Sequence, residues 1–268
     1  MTEPGGARGP AAPGDRIWIF GVPIDRVNRR QALARAEGWL GSGACRLVFT
    51  PNPEIIMAAR HDAGLRRILA GADLALADGV GVAWAASRGG RPVPERVPGV
   101  DFAGDVLALA AARDVPTYFL GTRGAVVARA AEAARVQHPR LRVAGWHDGY
   151  FPWDRAPEVA AAVRGSGARL LLVGMGAPRE QRFLAEQRQA LAGVDLALAV
   201  GGTLDVMGGA ARLAPAAVRR AGLEWLWRLV REPSRIRRQM ALPAFAWAIL
   251  TAKAPLWDDA EGPRVVER

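Results

Sequence analysis

Cysteine is all but missing from these 268 residues, where Cys45 stands alone. That excludes a disulfide scaffold and any cysteine-based zinc module. Histidine is nearly as scarce, and His61, His138 and His147 sit too far apart to form a ligand pair. Lysine is reduced to Lys253 among 36 basic residues, while alanine is abundant. This is the bias of a GC-rich genome, so an arginine here does not by itself signal phosphate. No run of about 18 apolar residues occurs, and no transmembrane helix is expected. Met1–Asp15 is rich in Gly, Pro and Ala and has no apolar h-region, which reads as a disordered leader and not a secretion signal. The expected location is the cytosol, with membrane contact left as a separate question.

What is present suits a folded domain. Half the residues are apolar, 23% are charged, and 36 basic side chains against 26 acidic ones leave a net charge of +10. This length and composition fit one large domain with an appendage. Short apolar runs fall at Ile17–Val22, Arg46–Phe49, Asp73–Ala77, Thr117–Leu120, Arg142–Gly145, Leu170–Val173 and Leu196–Val200. Between them lie segments of helical period near Arg29–Leu40, Glu54–Ala70, Val100–Ala112, Ala125–Gln137, Pro157–Arg164 and Arg179–Leu191. Aliphatic runs alternating with helices predict βαβ crossovers. The expected fold is α/β: a Rossmann-like open, mostly parallel sheet with helices on both faces.

In such folds ligands bind beyond the carboxyl ends of the strands. Polar or glycine residues stand at several of those ends: Thr50-Pro-Asn52, Asp78-Gly79, Gly121-Thr122, Gly174-Met-Gly176 and Gly201-Gly202. Asp78 at that edge suits a general base whose basicity partial desolvation raises, or else a helix N-cap. Thr50 and Asn52 offer a hydroxyl and an amide to a ligand, unless Asn52 only caps the next helix, which Pro53 is suited to start. The glycine patches would let backbone N–H groups approach a phosphate, or serve only as tight turns. Neither completes a dinucleotide or Walker fingerprint, so a nicotinamide dehydrogenase and a P-loop enzyme are unsupported.

After Gly202 the character changes. Arg219–Arg238 holds seven arginines against two glutamates, a net +5, with Trp225, Trp227 and Trp247 close by. Met240–Ala252 is apolar apart from Pro243 and Thr251. Three readings fit: an amphipathic helix packed on the domain, a nucleic-acid-binding segment, or an interfacial membrane segment. The shortness of the apolar stretch and its proline favour lying on a membrane over spanning it.

Six groups of residues occur in order: Thr50-x-Asn52, Asp78-Gly79, Arg96-x-Pro98-Gly99-x-Asp101, Gly174-x-Gly176-x-Pro178, Gly201-Gly202-x-x-Asp205, and Gly222-Leu-Glu-Trp-Leu-Trp-Arg228 with Glu232-Pro-x-Arg235-x-x-Arg238. The set resembles the WecG/TagA/CpsF glycosyltransferase family (glycosyltransferase family 26) from about Ile17 to Trp257. The resemblance implies an inverting, metal-independent hexosyltransferase without a cofactor. Such an enzyme moves a sugar, commonly N-acetylmannosamine from its UDP donor, to a polyprenyl-diphosphate-linked saccharide in teichoic acid, cell-wall or exopolysaccharide synthesis. The absence of an Asp-x-Asp pair agrees with the metal-free expectation.

Carried over by position, the resemblance makes Asp78 the catalytic base and puts Thr50 and Asn52 in its pocket. Arg96 becomes a diphosphate ligand, and Gly201, Gly202 and Asp205 the segment near the nucleotide. Arg228, Arg235 and Arg238 become appendage arginines that close over the site at the membrane. One departure matters. The family usually reads Pro-x-Gln-Glu where this chain has Pro178-Arg-Glu180-Gln181, so Glu180 replaces an amide unless Gln181 substitutes for it. The expected divisions are a leader over 1–15, a catalytic core over 16–213, a membrane-associating helical appendage over 214–257 and a polar tail over 258–268. The expected partners are the nucleotide sugar, the lipid-linked acceptor and the inner face of the cell membrane, without nucleic acid. A homo-oligomer stays open. The competing reading is a non-catalytic basic module that binds nucleic acid or anionic surfaces.

Overall fold

The chain opens with a hairpin, β1 (Arg16–Ile19) and β2 (Val22–Asp25), paired antiparallel with Ile17 opposite Ile24. The single strand expected over Ile17–Val22 is therefore broken in its middle. Phe20 and Gly21 both take positive φ, 51° and 77°, which is the geometry of a tight two-residue hairpin turn. The computed structural model describes residues 15–231 and 236–252. The polar tail and all of the expected leader except Asp15 lie outside them. Asp15 is pinned by Arg26 at 2.8 Å.

Helix α1 (Arg29–Trp39) starts with a reciprocal capping box between Asn28 and Gln31. It is followed by β3 (Arg46–Phe49), α2 (Pro53–His61) and α3 (Ala63–Ala70). One helix was expected over Glu54–Ala70. Asp62 divides it, because its backbone leaves the helix while its carboxylate caps the next one through Leu65 N–H at 2.9 Å. Next come β4 (Leu74–Ala75), α4 (Val80–Arg88), α5 (Gly99–Ala112), β5 (Thr117–Gly121), α6 (Gly124–Gln137) and β6 (Val143–His147). They are followed by α7 (Ala156–Gly165), β7 (Leu170–Gly174), α8 (Arg179–Glu186), β8 (Leu196–Ala199) and α9 (Thr203–Met207). The segment expected as an appendage contains α10 (Ala216–Arg220), α11 (Glu224–Arg231), α12 (Ile236–Gln239) and α13 (Ala241–Thr251). Pro243 does not interrupt α13, because it sits in the first turn, where a backbone N–H has no helical acceptor.

Six strands form one sheet in the order β4-β3-β8-β7-β5-β6, and every pairing is parallel. Successive side chains serve opposite layers. Phe49, Val173 and Ala199 face one apolar cluster, with α2, α3, α4, α7 and α8, while Val48, Leu172 and Leu198 face the other, with α1, α5, α6 and α9. A sheet covered on both faces needs continuous apolar strands, which is why runs such as Leu170–Val173 were legible. This is the expected Rossmann-like open sheet with helices on both faces.

Charge at the amino end of the sheet is structural. Asp73 accepts from Arg46 at 2.9 Å, Arg188 at 2.8 Å and Leu47 N–H at 2.9 Å. Buried Asp195 accepts from the N–H groups of Gly41 and Gly43 at 2.9 and 2.7 Å and pairs with Arg169 at 2.8 Å. The carboxyl ends are left for the site. Helix α13 joins the core through Phe245 and Ile249, with Phe245 edge-on to Phe20 at 6.4 Å.

Candidate active site

One cavity of about 860 Å³ lies along the carboxyl ends of the sheet, and each of the six strands delivers to it: Thr50, Asp78, Thr122, Gly149, Gly174 and Gly201. Close passage of glycine backbones makes this possible. Gly121 has φ +143°, and a Cβ there would lie 2.3 Å from the Gly174 carbonyl oxygen. Gly99 packs so near Thr50 that its Cβ would meet the Thr50 hydroxyl at 3.0 Å.

Asp78 follows β4, with its N–H bonded to the Pro51 carbonyl at 3.1 Å. It is not the N-cap of α4. That position belongs to Gly79, at φ 87° and without a side-chain cap, a backbone shape that favours glycine. Asp78 therefore stands on the cavity wall. Asn52 plays the capping part: its Oδ1 accepts from Ile55 N–H at 3.0 Å, and the residue also lines the cavity beside Thr50.

The helices after α9 also reach the cavity, through Glu224, Trp225, Arg238 and Gln239. Arg96 donates to the Arg219 carbonyl at 3.1 Å and lies 3.6 Å from the Glu224 carboxylate. Arg219 pairs with Asp101 at 2.9 Å, and Arg238 approaches Glu54 at 3.5 Å. Arg238 lines the cavity, Arg228 belongs to α11, and Arg235 lies outside the described residues.

Glu180 changes the reading of the glycine patches. Its carboxylate accepts from Met175 and Gly176 N–H at 3.2 and 3.1 Å and from Gly201 N–H at 3.2 and 3.1 Å, one bond to each oxygen. Three of the N–H groups in these patches, those of Met175, Gly176 and Gly201, thus hold a resident carboxylate. Burial pushes the Glu180 carboxyl up to about 7, against the opposing pull of these bonds and of the Gln181 amide, whose Nε2 donates at 3.1 Å. Asp205, in the first turn of α9, accepts a short hydrogen bond from the Thr122 hydroxyl, and Gly202 caps that helix.

The chain matches the Glycosyl transferase WecG/TagA/CpsF family over residues 17–258. It is 31% identical over 203 residues to the N-acetylglucosaminyldiphosphoundecaprenol N-acetyl-beta-D-mannosaminyltransferase of Bacillus spizizenii, covering 76% of this chain and 78% of that protein. The chain belongs to the WecG/TagA/CpsF family. It is a glycosyltransferase.

The geometry of this glycosyltransferase brings Thr50, Asn52, Asp78, Arg96, Glu180, Gln181, Gly201, Gly202, Asp205 and Arg238 around one cavity. Sequence reasoning missed Thr122, whose partner Asp205 is 83 residues away, and Glu224. The Gly121-Thr122 strand end was the available signal for Thr122. Nothing pointed to Glu224 beyond its place in the Gly222–Arg228 motif. Among the described residues no group of three or more His, Cys, Asp and Glu is placed to hold a metal ion, and no helix is long and apolar enough to cross a membrane.

Proposed function

We propose that the enzyme transfers N-acetylmannosamine or a related hexose, with inversion and without a metal, from a nucleotide-diphosphate donor to a polyprenyl-diphosphate-linked saccharide. The observation that carries this reading is the gathering of Asp78, Thr50, Arg96 and Arg238 from separate segments around one cavity. The substrates named for the Bacillus spizizenii relative support it. Asp78 takes the proton of the acceptor hydroxyl as its oxygen bonds to the anomeric carbon. The bond from that carbon to the diphosphate oxygen breaks, and its electron pair leaves with the nucleotide. Arg96 and Arg238, with Arg228 and Arg235 from the same appendage, neutralise the diphosphate charge. The residues over 214–257 act at the cytoplasmic face of the membrane, where the lipid-linked acceptor lies, in a bacterial cell-wall or exopolysaccharide pathway. Exposed Trp225, Met240 and Trp247 support that placement.

The test is a panel of UDP- and GDP-sugars incubated with polyprenyl-diphosphate N-acetylglucosamine. Transfer of a single hexose from one donor, with inverted anomeric configuration, is the expected result. Absence of transfer from every donor, under conditions where the chain stays folded, sinks the reading.

A further inference from the structure

Carboxylates outnumber guanidiniums on the cavity wall, five to three among the described residues. For a cavity that takes a diphosphate, each of those carboxylates needs a reason. Glu180 is held by backbone N–H groups, Asp205 by the Thr122 hydroxyl, and Asp78 is the proposed base. Glu54 stands in the first turn of α2, where a helix favours an acid, and its partner Arg238 is 57% exposed, so solvent screens the pair. Glu224 also opens a helix, α11, but its carboxylate is more buried and lies 3.6 Å from Arg96, the guanidinium read above as a diphosphate ligand. That distance makes an ion pair and not a hydrogen bond. The same Arg96 nitrogen, Nη2, is closer to the Arg219 carbonyl, at 3.1 Å. A guanidinium has five N–H donors, and among the described residues this one commits a single bond to a protein acceptor. A phosphate oxygen at a charge-assisted distance of about 2.8 Å therefore outcompetes Glu224 for the cation. Both side chains line the cavity, so ligand and carboxylate meet at one guanidinium.

We propose that Glu224 is a charge-selecting residue of the donor site, competing with the nucleotide's diphosphate for Arg96. Its repulsion grows with the charge of the ligand. Sugar transfer frees the terminal phosphate of the donor, and such a phosphate ionises a second time at about pH 6, which adds a negative charge at neutral pH. Glu224 thus disfavours the product nucleoside diphosphate more than the nucleotide sugar, and so favours exchange of the first for the second. This rests on the reading above that Arg96 binds diphosphate.

The experiment measures binding to the full chain by calorimetry, above neutral pH, for wild type, Glu224→Gln, Glu224→Asp and Arg96→Ala. The ligands are UDP, UDP-N-acetylmannosamine and a soluble short-chain lipid diphosphate N-acetylglucosamine, with thermal unfolding as the check on folding. Glutamine keeps the shape of the side chain and removes its charge. Glu224→Gln should tighten UDP-N-acetylmannosamine by about threefold and UDP by about tenfold, and the gain should shrink as salt is raised. Glu224→Asp keeps the charge and should stay within about twofold of wild type for every ligand. Arg96→Ala should weaken UDP by about tenfold or more.

Unchanged or weaker nucleotide binding by Glu224→Gln overturns the proposal, and Glu224 is then an anchor for α11 or a support that orients Arg96. An equal gain for UDP and its sugar ester, or the same gain in Glu224→Asp, overturns selection by charge. Tightening confined to the lipid diphosphate assigns Arg96 and Glu224 to the acceptor and overturns it as well. All these outcomes leave the reading of Arg96 standing. Unchanged affinity of Arg96→Ala for every ligand, or failure of the wild type to bind any of them, sinks that reading and the proposal together.

Discussion

Arg96 leaves the core to meet the appendage, its guanidinium 3.6 Å from the Glu224 carboxylate. Both side chains are about three-quarters buried, at 22% and 25% exposure, yet still reached by solvent. The pair therefore adds no more than about 1 kcal/mol to stability. Glu224→Gln should leave the unfolding midpoint within a couple of degrees. Arg96→Ala should do likewise but cut kcat/KM about a hundredfold, because a charge-assisted contact to diphosphate is lost. Transfer kinetics beside thermal unfolding decide the matter. A purely structural Arg96 would lower the midpoint and leave the remaining folded enzyme fully active.

Asp78→Asn keeps the shape of the side chain and removes the base. Turnover should fall by about a thousandfold, within the range general-base catalysis supplies, while donor affinity stays within a few-fold. Single-turnover transfer and a donor titration on the same preparation separate the two. Near wild-type turnover would remove Asp78 from the mechanism.

How far this site was legible depended on how local each signal was. Asp78, Thr50 and Gly201 were readable because each ends an apolar run, and a parallel sheet sends all such ends to one edge. Helix α4 was not read, since Gly79 and Gly81 look like turn residues. Gly81 is in fact helical, and it is small because Pro53 approaches to 2.7 Å from where a Cβ would stand. The Glu180 nest was invisible for a different reason. The reversed Glu180-Gln181 order shows in the sequence, but which member is buried against Gly176 and Gly201 depends on how α8 docks across two strand ends. Thr122 and Asp205 are likewise joined only by the fold.

Two glycines separate backbone necessity from habit. Gly121→Ala should abolish folding or cost several kcal/mol, about 3 or more, because its Cβ has nowhere to go between β5 and β7. Gly104→Ala, inside α5 with nothing within 4 Å of the added carbon, should gain about 0.5–1 kcal/mol. Urea denaturation of both variants is the measurement. A tolerated Gly121→Ala would mean that the two strand ends do not pass this closely.

Glu180 sets a pH dependence whose sign follows from its raised carboxyl. Its ordinary value is 4.5 and burial lifts it to about 7; the groups acting on it are backbone N–H groups and the Gln181 amide. A native state that prefers the protonated form has this group's contribution in full below about 4.5 and loses it as pH rises through about 7. The loss is on the order of 3 kcal/mol. Glu180→Gln does not titrate, so its stability relative to wild type should climb between pH 5 and pH 8 and then level. Unfolding free energies measured at half-unit steps test this. A constant difference across the range would mean that the carboxyl is not buried as described.

The last expectation concerns α13, which has two faces with different work. Phe245 and Ile249 are 1% and 3% exposed against the core, whereas Trp247 and Leu250 are 70% and 54% exposed. A chain cut near Arg219 would therefore uncover Phe20 and Gly81 as well as lose the rim arginines, so truncation confounds folding with function. Point variants do not. Phe245→Ala should cost about 3 kcal/mol through the cavity it leaves, and lower the unfolding midpoint accordingly. Trp247→Ser combined with Leu250→Ser should leave that midpoint unchanged, since neither side chain is buried. If the outer face inserts at the headgroup boundary, the double variant loses about tenfold or more in binding to anionic liposomes, because two large apolar groups no longer leave water there. Co-sedimentation with liposomes, run beside thermal unfolding, reads both effects. Undiminished liposome binding by a fully folded double variant would show that this face is not the anchor.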